Sequence, residues 1–285
     1  MKLLPQIAAE GGAFRLAHTA TQCLIDEARL SPKPGLVDSR GNGAHHDLTL
    51  ELMEHSAHSL TPTFQALAQQ SWLQPANVAL RQTIGRLGRE GEQQMMVATH
   101  GVNTHRGAIW ALGLLVSAVA MLGGEGSPLV IARTAAQLAK LPDDAAPKVF
   151  SKGLRATHRY RVPGAREEAQ QAFPHIVQLA LPQLHLSRQR GSTEEQARLD
   201  ALMAIMTSLS DTCVLSRAGL EGLQAMRQGA TAVLQAGGVA HPDGQCALAK
   251  LDAHMLMLNA SPGGAADLLA ATLFLDRITS PYLAN

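Results

Sequence analysis

The chain has 285 residues and a formal net charge of +1, with hydrophobic residues at 46%, charged residues at 16% and aromatic residues at 3%. Near-neutral charge argues against nonspecific polyanion binding, and the shortage of aromatics removes the stacking platforms that single-stranded nucleic acids use, so no nucleic-acid partner is expected. The cysteines Cys23, Cys213 and Cys246 are odd in number, widely spaced and lack a CxxC pair, which points away from a disulfide framework or structural zinc and towards a reducing, cytoplasmic setting.

A single domain of this size buries about three quarters of its unfolded surface, so the length demands no partner and leaves a homodimer open. Its core must be mostly Leu, Ala, Val and Met, which favours helices over sheets. Pro5, Gln6 and Glu10 interrupt the N-terminus too early for a signal peptide. The longest apolar run, 108–122, is shorter than the roughly 20 residues that cross a bilayer, so no membrane span is expected.

Phe14, Ala17, Thr21, Leu24 and Ala28 recur at three- and four-residue steps and predict a helix over about residues 12–30 that delivers Glu27 to its end. Residues 31–47 then form a loop, because Pro32 and Pro34 remove amide donors while Gly35, Gly41 and Gly43 permit backbone angles closed to other residues. A second helix begins after Asp47 and carries Leu50, Met53, Ala57, Leu60, Phe64 and Leu67, kinked or restarted at Pro62. Pro75 fits the first turn of a third, with Leu80, Ile84 and Leu87, weakened towards its end by Gly85, Gly88 and Gly91. The polar segment 99–107 opens the apolar run as a buried central helix.

Ser127-Pro128 is a cap and first-turn pair for a helix to about Lys140, ended by Pro142. A basic region carries Lys148, Lys152, Arg155, Arg159, Arg161 and Arg166, and Glu167-Glu168 begins a helix stopped or kinked near Pro174. Ser192-Thr193-Glu194-Glu195 reads as a capping box for a helix with Leu199, Leu202, Met206 and Leu209 on its apolar face, ending beside Asp211. Further helices are expected over about 214–234 and 245–258, and a last one after the turn 259–264. With no strand series and no repeat, the prediction is an all-α, single-domain multi-helix bundle over 1–285, its site built from inter-helix loops.

Chemistry is concentrated in the 31–47 loop, which holds Lys33, Arg40, Asp38, Asp47, His45, His46 and Asn42. Lys33 and Arg40 can neutralise phosphate oxygens, and Asp38 or Asp47 can hold magnesium directly or through water. The adjacent His45 and His46 lack the further ligands zinc would need. A second site is Asn103-Thr104-His105-Arg106, where Arg106 stands at a helix start with no acidic partner within a turn; free amides and the positive dipole end there suit a phosphate. Gly164-Ala165 allows close approach beside Arg166, while Asp211 reads equally as a helix-end carboxylate and Cys213 as a small core residue. The residues alone therefore reach a phosphate- or nucleotide-binding helical protein.

Together these segments resemble the triphosphoribosyl-dephospho-CoA synthases. The resemblance is carried by Ser31-Pro32-Lys33-Pro34-Gly35-Leu36-Val37-Asp38, Gly43-Ala44-His45-His46-Asp47 and Gly101-Val102-Asn103-Thr104-His105-Arg106-Gly107. It continues through Gly164-Ala165-Arg166-Glu167-Glu168-Ala169, Asp211-Thr212-Cys213-Val214-Leu215-Ser216-Arg217 and Ser261-Pro262-Gly263-Gly264-Ala265-Ala266-Asp267. Arg106 stands where the citrate-lyase branch usually has lysine, Cys213 where it has asparagine and Ala265 where it has serine, and the Asp-Thr-Cys form looks more like the malonate decarboxylase branch.

The resemblance implies an enzyme that moves the triphosphoribosyl group of ATP onto the 2′-hydroxyl of 3′-dephospho-CoA, releases adenine and makes a prosthetic-group precursor for an acyl carrier subunit. It implies phosphate or nucleotide contacts for Lys33, Arg40, Arg106, Arg166, Asn103, Gly263 and Gly264. Asp38, Asp47 and Asp211 would hold magnesium or act as base, and His45 or His105 would orient substrate or help adenine leave. Glu27 and Asp267 stand second to these. A magnesium-dependent all-α nucleotide pyrophosphohydrolase and a non-catalytic CoA- or nucleotide-binding helical protein are the alternatives.

Overall fold

The computed structural model describes residues 3–146 and 152–280, and the regular elements among them are helical. Helix α1 (Leu3–Arg29) starts earlier than its apolar stripe indicates, since Pro5 falls in the first turn, where no intrahelical amide is needed. Thr49 caps α2 (Leu50–Ser59), accepting from the Leu52 amide at 3.2 Å. Pro62 does restart the helix, in the first turn of α3 (Thr61–Ser71). Pro75 lies outside α4 (Val78–Ala98), which is capped instead by Asn77 accepting from Leu80 at 2.8 Å. The glycines do not end α4, and Gly91 lets Thr63 approach so closely that a Cβ there would lie 2.5 Å from it.

Helix α5 (Arg106–Met121) is buried without interruption from Ala111 to Ala120, as its apolar run indicates, and α6 (Pro128–Lys140) has Ser127 as cap. Helix α7 (Lys152–Tyr160) lies in the basic region, where no helix was expected; Lys148 falls outside the described residues. After α8 (Ala165–Gln170) the chain turns at Ala172 and Phe173, both left-handed at φ 63° and 54°, and a π-helical segment (His175–Ala180) runs into α9 (Leu181–Gln189). The capping box of α10 (Glu194–Met206) is one residue later than expected, formed by Thr193 and Gln196. Helix α11 (Thr212–Gln235) breaks at Gly219, whose φ of 63° strains any other residue. Helix α12 (Pro242–Met257) starts at Pro242, ahead of the apolar pattern, and α13 (Gly263–Thr279) closes the order.

One continuous apolar cluster runs through these helices. Helix α5 packs against α1, α3, α4, α6, α8 and α13, and α13 against α1, α5, α10, α11 and the π-helical segment. The all-α expectation holds. Among the described residues no helix is long and apolar enough to cross a membrane. Both α5 and α13 point their first turns at the same open space, which makes that end of the bundle the place to look for chemistry.

Candidate active site

A cleft opens where α5, α8, α11 and α13 begin. Gly107, Trp110 and Ala111 line it from α5, Pro163 and Gly164 from the approach to α8, Ala165 and Glu168 from α8 itself, and Ser208 to Asp211 with Thr212 from the start of α11. Gly264, Asp267 and Leu268 come from α13, and Phe173 and His175 from the turn after α8. First-turn amides lack intrahelical partners and carry the positive end of the helix dipole, so such a meeting of helix starts favours an anionic guest.

Two carboxylates already use part of that capacity. Asp211 is 1% exposed; its Oδ1 accepts from the Cys213 and Val214 amides at 2.8 and 3.2 Å, and its Oδ2 from Ala265 at 2.9 Å. One side chain thereby caps α11 and ties down the first turn of α13. Asp267 accepts from the Ala108 amide of α5, and Gly107 makes room for it, since a Cβ there would lie 2.0 Å from Asp267 Oδ2. Enclosure of its carboxyl pushes Asp267 well above the usual carboxylate range, with the charges of Glu27 and Asp211 acting the same way. Burial raises Asp211 too, against the pull of its amide donors. The Asp211 charge opposes the ionisation of Asp267, so of the two carboxyl groups Asp267 is the more strongly biased towards its protonated form.

Behind them lies a buried ion pair. Lys33 is 1% exposed, and its Nζ donates to Oε1 and to the main-chain oxygen of Glu27, both at 2.6 Å. His105 is also buried; Nδ1 meets Ser56 Oγ at 2.8 Å while Nε2 has no partner among the described residues. Burial, with the Lys33 charge, lowers its pKa to about 4, so the ring is neutral near pH 7.

The rest of the loop is committed to holding itself in place. Asp38 Oδ2 accepts from the Lys33 amide and from Arg40 Nη2, and Oδ1 from the Arg40 amide, each at 2.8 Å. Arg40 continues to Asp252 of α12 at 2.8 Å, and Asp252 also accepts from the Gly35 amide at 3.0 Å. At the far end His45 Nε2 meets Ser261 Oγ at 2.8 Å, while Arg217 donates to the Ala44 main-chain oxygen and, at 3.3 Å, to His45 Nδ1. A ring that accepts at Nδ1 is neutral, in line with burial and the Arg217 charge lowering its pKa. Asp47 is exposed, 3.7 Å from His45.

The cleft thus gathers Asp211, Gly264 and Asp267 from the sequence-nominated residues; Arg106 and Arg166 each adjoin a lining residue, and none of residues 31–47 lines it. Gly263 and Gly264 sit against Cys213 and Asp211, where a Cβ would come within 3.2 and 3.0 Å. Asn103 accepts from the Arg106 amide at 3.3 Å. Arg106 does have an acidic partner, Glu92 of α4, invisible at short sequence range, while Arg166 is exposed. Asp38, Asp47 and Asp211 do not form one ligand set, and among the described residues no three His, Cys, Asp or Glu side chains are grouped to hold a metal ion.

Residues 13–285 match the CitG family model, ATP:dephospho-CoA triphosphoribosyl transferase. The chain belongs to this family. It is 74% identical over 278 residues to a 2-(5''-triphosphoribosyl)-3'-dephosphocoenzyme-A synthase of Klebsiella pneumoniae, covering 98% of this chain and 99% of that one. Proteins named as probable synthases of the same kind are 59% identical in Stutzerimonas stutzeri, over 95% of this chain and 94% of theirs, and 60% identical in Pseudomonas fluorescens, over 96% and 94%. No solved structure matches the chain.

In this member of the transferase family, sequence reasoning passes over several cleft and loop residues. Trp110 reads as part of an apolar run, and its indole Nε1 in fact donates to the Ala165 main-chain oxygen at 3.0 Å across the cleft mouth. Arg217 stands in a quoted motif, yet its partners Ala44 and Asn259 are far away in sequence. His175 follows a proline in an otherwise apolar stretch, a pattern with no chemical signature.

Proposed function

We propose that the protein transfers the 5-triphosphoribosyl group of ATP to the 2′-hydroxyl of 3′-dephospho-CoA and releases adenine. Family membership supports the reaction class, and the observation that carries the mechanism is the Asp211–Asp267 pair in the cleft. Substitution at the ribose anomeric carbon passes through an oxocarbenium-like transition state, which needs a nearby negative charge and a base for the incoming hydroxyl. In this reading one of the two carboxyl groups that line the cleft is ionised during turnover and serves both needs. Arg106 and Arg166 flank the lining at the starts of α5 and α8, where they would hold the triphosphate without cleaving it.

Magnesium would accompany the triphosphate, an ion that uses one or two carboxylates together with substrate oxygens and water. Of the three carboxylates nominated from sequence, Asp38 and Asp211 have both oxygens engaged, whereas Asp47 is exposed and fits the role. The His45–Ser261 hydrogen bond sets Asp47's end of the loop beside the turn that starts α13. The Asp211-Thr212-Cys213 sequence supports the malonate decarboxylase branch, in which the product is the prosthetic-group precursor of the acyl carrier subunit, made in the cytoplasm.

The test is to incubate purified protein with ATP, magnesium and dephospho-CoA and weigh the products by mass spectrometry. Adenine and an adduct retaining the whole triphosphate are expected. Pyrophosphate or orthophosphate from ATP, without adenine, overturns the proposal in favour of a pyrophosphohydrolase.

A further inference from the structure

Departure of adenine needs a proton at the base, and the two imidazoles nominated from sequence are badly placed to give one. His45 is held neutral between Arg217 and Ser261, and His105 is neutral inside the core. Neither lines the cleft. His175 does. Its Nδ1 bonds Glu168 Oε2 at 2.7 Å, and its main-chain amide donates to Glu168 Oε1 at 3.0 Å, so one buried carboxylate grips both ring and backbone. That grip leaves Nε2, which has no hydrogen-bond partner among the described residues, as the end available to a guest.

The local backbone is shaped around this presentation. Ala172 and Phe173 hold φ values of 63° and 54°, conformations that non-glycine residues keep only where their surroundings over-determine them. The Phe173 amide donates to the Glu168 main-chain oxygen at 2.9 Å, and the Phe173 ring is buried, which locks the turn. In the same cleft Trp110 is fixed by its bond to Ala165, and its indole offers a purine a face to stack on.

We propose that His175 is the catalytic acid that protonates the departing adenine, with Glu168 as its positioning residue and Trp110 as the base platform; this rests on the transfer reaction proposed above. In its doubly protonated form the ring donates from Nδ1 to Glu168 and from Nε2 to adenine N7. The C1′–N9 bond breaks with its electron pair going to N9, the Nε2 proton passes to N7, and adenine leaves neutral. The 2′-oxygen of dephospho-CoA bonds to C1′ and gives its proton to the ionised carboxylate of the Asp211–Asp267 pair. Solvent then removes that proton and restores the one lost from His175.

The test compares ATP with 6-chloropurine riboside triphosphate, whose base departs with less need of a proton, in wild type, His175→Gln and Glu168→Gln. On ATP, His175→Gln is expected to lose roughly 100- to 10,000-fold in kcat, the usual worth of a general acid, with unchanged KM for dephospho-CoA and an unchanged helical circular dichroism spectrum. With the chloropurine nucleotide the loss should shrink at least about tenfold. Glu168→Gln should show the same base dependence at a smaller loss. Equal losses on both nucleotides, or less than about tenfold on ATP, overturn the assignment of His175, and a Glu168→Gln defect without base dependence overturns the positioning role. If His175→Gln does not fold, His175→Asn is read the same way. Failure of wild type to release either base overturns the transfer reaction, and the dyad's role with it.

Discussion

Lys33 reads from the sequence as a phosphate ligand, yet its side chain is 2% exposed and that of Glu27 4% exposed, with the two held at 2.6 Å. Replacing Lys33 with Met removes both hydrogen bonds to Glu27 and leaves a buried carboxylate close enough to Asp267 for their charges to repel. Breaking one side of a buried pair costs about 3–5 kcal/mol, a large share of the roughly 5–15 kcal/mol that holds a protein folded. At about 2–4 °C per kcal/mol for a chain of this class, Lys33→Met should lower Tm by roughly 6–20 °C. Lys33→Met combined with Glu27→Gln removes both charges and should recover most of that loss, because no lone charge is left buried. Calorimetric melts of the wild type, both single variants and the double variant make the cycle. A Lys33→Met melt within about 2 °C of wild type, or a double variant no more stable than Lys33→Met, would refute the assignment of this lysine to the fold.

Asp267→Asn keeps an acceptor for the Ala108 amide but can neither release nor take up a proton, and should cut kcat by at least about 100-fold while raising Tm at pH 7.5. The sign follows from the raised carboxyl: the wild-type penalty is absent below the unfolded pKa and grows as pH rises above it, so the Tm difference should vanish towards pH 4. A difference independent of pH would contradict this. Arg166→Ala, at an exposed helix start, should raise KM for ATP about tenfold with Tm unchanged, as steady-state kinetics and melts will read. Asp47→Asn should leave the circular dichroism spectrum and, within about 0.5 kcal/mol, the stability unchanged, while transfer falls and the magnesium needed for half-maximal rate rises. An unchanged magnesium dependence removes Asp47 from the site.

Local signals placed several helix starts, though Pro75 lies outside α4 and the capping box of α10 falls one residue later than expected. Ser127-Pro128 marks the start of α6 because a hydroxyl cap and a first-turn proline each act within one turn. Pro62 restarts a helix for the same reason. Helix α7 escaped because Lys152–Tyr160 is only nine residues long, polar on average and set in a basic run that reads as a solvated face, and the break in α11 escaped because apolar spacing resumes on either side of Gly219. Charges in the loop were harder still, since their partners are decided by the fold. Arg40 finds Asp252 at a separation of 212 residues, His45 finds Ser261 at 216, and Arg106 finds Glu92 on the preceding helix. A cluster of polar residues on a Pro/Gly-rich loop therefore signals a specified loop, and only the fold separates the side chains that brace it from those that face the cleft.

Asp211 joins two of these threads in a single side chain. The carboxylate that starts α11 and fastens α13 is the same one that lines the cleft and that the proposed transfer would draw on. A survey of variants scored by soluble yield would place position 211 among the scaffold residues, and a survey scored by product would place it among the catalysts. Both scores would be reading one group, and only turnover per folded molecule, measured on purified protein, separates them. Under the proposed reaction the same doubling limits redesign: acceptance of a different nucleotide can be sought at Trp110 or Arg166, where the proposed contacts and the fold would be carried by different atoms, but not at this aspartate without first giving two helices another way to begin.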